Sequence, residues 1–268
     1  MIRTDLAFES ARGYKESLKG VKISVDEKEF FKVERVEITD EDSAKKLGKP
    51  CGNYVTVSLP SLSLLPDTEN TVANAISDEL LRLIPKNKGT VLVAGLGNTE
   101  ITVDAIGPKA VNKIFATRHI DNKLINELGL PQLRSVVSVS PGVLGKTGME
   151  AEEIIFGISS QIKPSCIIVI DAFAAADKSR ICTSVQISNS GINPGSGVGN
   201  CRKEISEKTF GLPVIAVGVP TVTDLGDGLI LTHRDIDLCV TKAAIVISNS
   251  INLALQPSLD LETIQGLI

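Results

Sequence analysis

Apolar residues in this chain fall into short uncharged runs separated by amphipathic stretches. TVLVAG (90–95), RSVVSVS (134–140), CIIVIDA (166–172), TSVQIS (183–188) and VIAVGVP (214–220) read as strands buried on both faces, being rich in Val and Ile with almost no charge. Between them lie stretches with helical spacing or helix signals. TENTVANAISDELLRLIP (68–85) repeats its apolar residues at helical intervals, with Asp67 or Thr68 as its cap. PKAVNKIFATRH (108–119), EAEEIIFGISSQI (150–162), AAADKSRI (174–181) and NCRKEISEKTF (200–210, ended by Gly211) follow, and a last helix runs from about Asp235 to Leu255. Nearer the start, EFFKVERVEI (29–38) alternates like a half-exposed strand, SAKKLGK (43–49) reads as a short helix and YVTVSLP (54–60) as a strand.

This order predicts one α/β domain over 1–268, with a mainly parallel central sheet covered by helices on both faces. Residues 1–60 form a more charged strand region, and 89–255 the alternating strand–helix core. Ligand and catalytic sites in such sheets lie beyond the carboxyl ends of the strands, so polar residues just after each strand matter most.

Composition narrows the function. A 43% hydrophobic content with 22% charge supports a sizeable core. Aromatics make up only 3% and Trp is absent, so the core rests on Ile, Val, Leu and Ala, and base-stacking platforms are disfavoured. A net charge of −4 disfavours sequence-blind binding to nucleic acid. The five cysteines are odd in number and form no CxxC, which reads as reduced intracellular thiols. MIRTDLAFES lacks a signal-peptide core, and the apolar runs are broken before they reach a membrane span. A soluble cytoplasmic protein is expected.

The stretch VLVAGLGNTEITVDAIGP (91–108) passes from strand to glycine turn to an acid, Asp104, just before a helix start. Gly95, Gly97 and Asn98 form GLGN, which matches neither a full dinucleotide fingerprint nor a phosphate loop. It reads as a tight packing turn or as a wall for a ligand. A second acid, Asp171, ends CIIVID. Both acids sit just beyond strand ends, so the sheet can bring them to one rim. Two close carboxylates split their proton affinities, which lets one activate water while the other protonates a leaving amine. Helix capping explains the same residues equally simply. The loop SNSGINPGSGVGN (188–200) offers backbone N–H groups to a developing oxyanion from Gly195, Ser196, Gly197, Gly199 and Asn200, or is a plain connection. SPGVLGKTGME (140–150) has the same two readings. GxSxG, HExxH and zinc-like Cys/His spacing are absent, and the histidines are limited to His119 and His233. His119 reads as a helix-end residue and His233 as the start of the last helix. No metal or cofactor is expected.

Taken in order, RTDLAFE, GKPCGNYVT, GLGNTEITVDAIGP, ATRHI, SPGVLGKTGME, IDAFAA, QISNSGINPGSGVGNCRKEIS and LPVIAVGVPTVTD strongly resemble the germination protease (spore protease) family over nearly the whole chain. The resemblance implies an endopeptidase of atypical aspartic type that degrades small acid-soluble spore proteins in the germinating spore. It carries the catalytic roles onto Asp104 and Asp171. It implies a fold similar to hydrogenase maturation endopeptidases, a zymogen that cuts itself, and a homotetramer. Three departures stand out. The pro-segment expected before RTDLA is missing or nearly so. VGVPTVTD runs almost directly into LILTHRDID, where longer members carry an insertion. Ser58, in VTVSLP, stands where an acid is expected. Three alternatives remain: a maturation-type endopeptidase of the same fold; an anion- or small-molecule-binding module without proteolysis; or a catalytically silent scaffold, against which the presence of both Asp104 and Asp171 argues.

Overall fold

The computed structural model describes residues 4–14, 18–65, 70–87, 89–127, 129–199 and 202–268. The proposed caps Asp67 and Thr68, together with Asn200 and Cys201, lie outside them. Among the described residues the strands are β1 (Val21–Glu27), β2 (Lys32–Ile38), β3 (Gly52–Ser58), β4 (Val91–Gly95), β5 (Val136–Val139), β6 (Cys166–Ala174), β7 (Ser184–Ser188), β8 (Val214–Gly226) and β9 (Leu229–Thr232). They form one nine-stranded sheet in the order β1-β2-β3-β7-β8-β6-β4-β5, with β9 paired to β8. The fold is α/β, but pairing is mixed rather than mainly parallel. Parallel pairs join only β5, β4, β6 and β8, and the remaining pairings are antiparallel. Uncharged runs report burial on two faces; they carry no information about strand direction, so the antiparallel β7 reads the same as β4 and β6, which pair in parallel.

The helices are α1 (Ala7–Arg12), α2 (Glu41–Leu47), α3 (Asn70–Leu83), α4 (Ile106–Val111), α5 (Asn122–Glu127), α6 (Leu144–Thr147), α7 (Ala151–Ile162), α8 (Glu207–Phe210), α9 (Ile236–Leu255) and α10 (Leu261–Leu267). One face of the sheet buries Val91, Ile168, Val217 and Val57 against α3, α4 and α9. The opposite face packs Leu92, Ile167 and Val169 on Ile155 of α7, while α1 and α2 cover Val36, Ile38 and Tyr54. α9 is long and apolar enough to cross a membrane, contrary to the broken-run reading, but it is mostly buried as a core helix. Its Ile247 and Ile251 are fully buried, each worth about 1.5–3 kcal/mol. α2 shows how local sequence sets an element. Asp40 accepts from Ser43 N at 2.8 Å as the N-cap, and Gly48 closes the helix with φ of 64°.

Three predicted helices are shorter, because tertiary partners claim their backbone. α4 stops at Val111 and does not reach His119. The Asn252 side chain accepts from Phe115 N and donates to Lys113 O, both at 2.9 Å, and Thr117 N and Arg118 N donate to Val136 O. Residues 174–181 hold only a single 3-10 turn, Lys178–Arg180. Upstream of it the Glu9 carboxylate accepts from Ala176 N at 2.8 Å and Asp177 N at 2.9 Å, and Ala175 N donates to Val222 O. Of the described residues 202–210, only Glu207–Phe210 is helical, since Ile192 and Ile205 form a β-bridge.

The cysteine reading also changes. Cys182, just before β7, and Cys239, in the first turn of α9, form a buried disulfide across a sequence separation of 57. Nothing in local spacing marks that pair; the sheet brings its ends together. Cys51 and Cys166 are free.

Ser58 takes part in a buried ion pair. Arg180 donates to both oxygens of Glu34, at 2.7 and 3.0 Å, and Ser58 Oγ donates to Glu34 at 2.8 Å. The carboxylate here comes from β2, one strand over. Glu34 is 5% exposed and Arg180 half-buried, so Glu34→Ala would leave the guanidinium without its main partner. We expect it to cost about 3–5 kcal/mol in denaturant unfolding; a change within measurement error would show that Arg180 rehydrates freely.

Candidate active site

Asp104 is held by a loop that folds back on itself. Gly97 takes a φ of 116°, open to glycine and strained for other residues. The turn lets Asn98 N donate to Asp104 O at 3.1 Å and to its Oδ2 at 2.9 Å. A single 3-10 turn, Thr102–Asp104, presents the acid. Thr221 Oγ1 on β8 donates to Val103 O at 2.8 Å, and Thr102 Oγ1 donates to Asp237 on α9 at 3.0 Å. The glycines serve close approach: a Cβ on Gly97 would lie 1.9 Å from Asp104 O, and one on Gly95 would lie 2.2 Å from Gly107 O. Asp104 does not cap α4, whose N-cap is Ala105 with no side-chain bond.

Asp171 lies within β6, opposite Gly218 of β8, and is 5% exposed. Its carboxylate accepts from Ala172 N at 2.9 Å and caps no helix. The structure therefore removes the capping reading for both acids.

Both carboxylates line one open cavity of about 370 Å³, with Gly97, Gly195, Gly197 and Arg202 among its other walls. Burial raises the proton affinity of Asp171 well above that of an ordinary aspartate. The charges of Asp104 and Asp5 add to the rise, while Ala172 N–H and Arg202 oppose it. Asp104 is also raised by burial, offset by the N–H bond from Asn98 and by Arg202. Asp171, the drier acid with two acidic neighbours, thus keeps its proton to higher pH than Asp104.

The other sequence candidates divide. Gly97, Gly195 and Gly197 line the cavity. Gly95 ends β4 away from it, and the Asn98 N–H is committed to Asp104. Ser196 Oγ donates to Asp5 at 2.8 Å. Gly199 is exposed and does not line the cavity; Asn200 lies outside the described residues. Gly142 and Glu150, from the SPGVLGKTGME stretch, do line it. Asp5, Arg202 and Thr221 also form walls, none of them singled out from sequence. The signal for Asp5 and Arg202 was their place inside the RTDLAFE and NCRKEIS blocks. His119 and His233 are not cavity residues, and among the described residues no three His, Cys, Asp or Glu are grouped to hold a metal.

A family model described as germination protease matches residues 3–225. The germination protease of Caldanaerobacter subterraneus subsp. tengcongensis is 39% identical over 309 residues, covering 96% of this chain and 95% of that protein. That of Clostridium acetobutylicum is 36% identical over 322 residues, covering 98% of each. These spans exceed the 268 residues here, so the relatives carry residues this chain lacks. Among solved structures, the [NiFe] hydrogenase maturation protease HycI of Thermococcus kodakarensis is 16% identical, with a TM-score of 0.41 over 65% of this chain and 98% of that one. The matches to the family model and to these relatives extend over most of the sequence, and the chain belongs to the germination protease family.

Proposed function

We propose that this chain is an endopeptidase that opens the degradation of small acid-soluble spore proteins in the core of the germinating spore, as a homo-oligomer. Asp104 and Asp171 are its acid–base pair. The observation that carries this reading is the convergence of a buried and a half-buried aspartate, from separate elements, on one open cavity.

In this scheme ionised Asp104 takes a proton from a water as its oxygen attacks the scissile carbonyl carbon. Protonated Asp171 gives its proton to the amide nitrogen as the C–N bond breaks, leaving a free carboxyl and a free amine. The division of roles follows from the environments: each acid accepts one backbone N–H, but Asp171 is the drier of the two and has the charges of Asp104 and Asp5 beside it. Gly195 and Gly197 border the space where the tetrahedral oxygen develops.

The cavity suits an anionic ligand poorly, because Asp5, Asp104, Glu150 and Glu152 line it against Arg202 and Lys203. That favours peptide hydrolysis over an anion-binding module. The pH profile of kcat/KM is expected to be bell-shaped. Activity rises as Asp104 ionises and falls as Asp171 loses its proton, with both limbs above the ordinary aspartate value of 3.8 because burial raises both groups. A rate that stays flat as pH rises through neutrality and beyond would contradict the role of Asp171. The function itself is tested by incubating the purified chain with a small acid-soluble spore protein and mapping fragments by mass spectrometry. A few discrete internal cuts are expected; an intact substrate would overturn the reading.

A further inference from the structure

We propose that Asp5 is a positioning residue of this site, whose carboxylate clamps the glycine loop onto the end of the strand that carries Asp171. The inference rests on the endopeptidase reading above and adds a residue to it. Asp5 Oδ2 accepts from Ala174 N at 2.8 Å, and Asp5 Oδ1 accepts from Ser196 Oγ at 2.8 Å. One carboxylate thus joins the last residue of β6 to the loop that walls the cavity. Its backbone is fixed as well: Asp5 N donates to Ala174 O at 2.8 Å, and its O accepts from Gln186 Nε2 at 3.0 Å. Gly197 makes the clamp possible. A Cβ there would lie 2.3 Å from Asp5 Oδ2 and 2.7 Å from Ala174 Cβ, so any larger residue would push the loop off the acid.

The clamp carries charge as well as shape. Asp171 faces Asp104, Asp5 and Arg202. Asp5 in turn faces Lys49 and Glu204 across a small cavity of about 120 Å³ behind the loop, where the Lys49 ammonium donates to Thr4 O at 2.8 Å. Asp5 adds negative charge beside Asp171 and helps it keep its proton. An uncharged residue at position 5 therefore lets Asp171 lose that proton at lower pH.

Two substitutions separate the effects. Asp5→Asn keeps the size but removes the charge and one of the two acceptors, so kcat should fall, less than in the alanine variant, and the alkaline limb of its kcat profile should move to lower pH. Asp5→Ala removes the clamp; kcat should fall roughly ten- to a hundredfold with KM nearly constant, as expected when a transition-state wall is loosened. Both are assayed on a small acid-soluble spore protein beside wild type and Asp171→Asn. If wild type cleaves, Asp171→Asn is inert and Asp5→Asn reproduces the wild-type pH profile and kcat, the Asp5 proposal is overturned, whether or not Asp5→Ala folds. If wild type itself is inert, the endopeptidase reading falls and takes this one with it.

Discussion

Asp171→Asn is expected to abolish cleavage, lowering kcat at least about a thousandfold, within the range of general acid–base catalysis. Asp104→Asn should do the same. The amide occupies the carboxylate's volume, so the sheet remains. The stability change has a definite sign. The proton affinity of Asp171 is raised in the folded state, so folding is penalised as pH climbs from the unfolded value of 3.8 through the higher folded one. The penalty is complete above both values. Asn carries no such charge, so Asp171→Asn should melt at a higher temperature than wild type near neutral pH, with the gap closing toward acid pH. Thermal unfolding across pH checks this. Lower stability at neutral pH, or undiminished turnover in either variant, would remove the residue from the mechanism.

Gly107→Ala is expected to have the second-largest effect. Its Cβ would lie 2.2 Å from Leu96 O, 2.5 Å from Leu96 N and 2.6 Å from Ile170 O, all rigid backbone just after β4 and within β6. Here α4 presses against the strand ends that set the two acids. Leu96 N donates to Ile170 O at 2.8 Å, tying the GLGN turn to the residue before Asp171. One added methyl has to push α4, and Asp104 with it, away from β6. Overpacking of this kind costs about 1–3 kcal/mol. A displacement near 1 Å costs roughly a hundredfold in rate. Kinetics together with denaturant unfolding would show both losses; an alanine variant with wild-type kcat would mean that the acids need not be held this tightly.

Much of this was legible in the sequence where signals are local. α9 was read as 235–255 and runs Ile236–Leu255, because helical spacing needs no partner to be seen. β4, β6 and β7 are marked by uncharged Val- and Ile-containing runs, but the acids do not both lie just beyond strand ends: Asp171 is inside β6, which runs on to Ala174, and Asp104 sits in a 3-10 turn well past β4. The rest depended on contacts between distant segments. Whether β7 runs with or against β8 is decided by register, which burial does not encode. Residues 174–181 lost their helix to a carboxylate on α1, and 112–119 to Asn252 on α9 and the β5 backbone. Cys182 and Cys239 meet only once β7 and α9 are in place. Asp5 had the weakest signal of all: a lone acid near the start of the chain joins the site only because its segment pairs with the end of β6.

The central claim is that two aspartates share a proton across one cavity, and the direct measurement is the titration of the Asp171 carboxyl followed by carbon NMR in wild type and Asp104→Asn. The account predicts that Asp171 stays protonated far above the ordinary aspartate value, and that its midpoint drops when Asp104 loses its charge. An Asp171 that titrates like a free aspartate, with the same midpoint in both proteins, would contradict it.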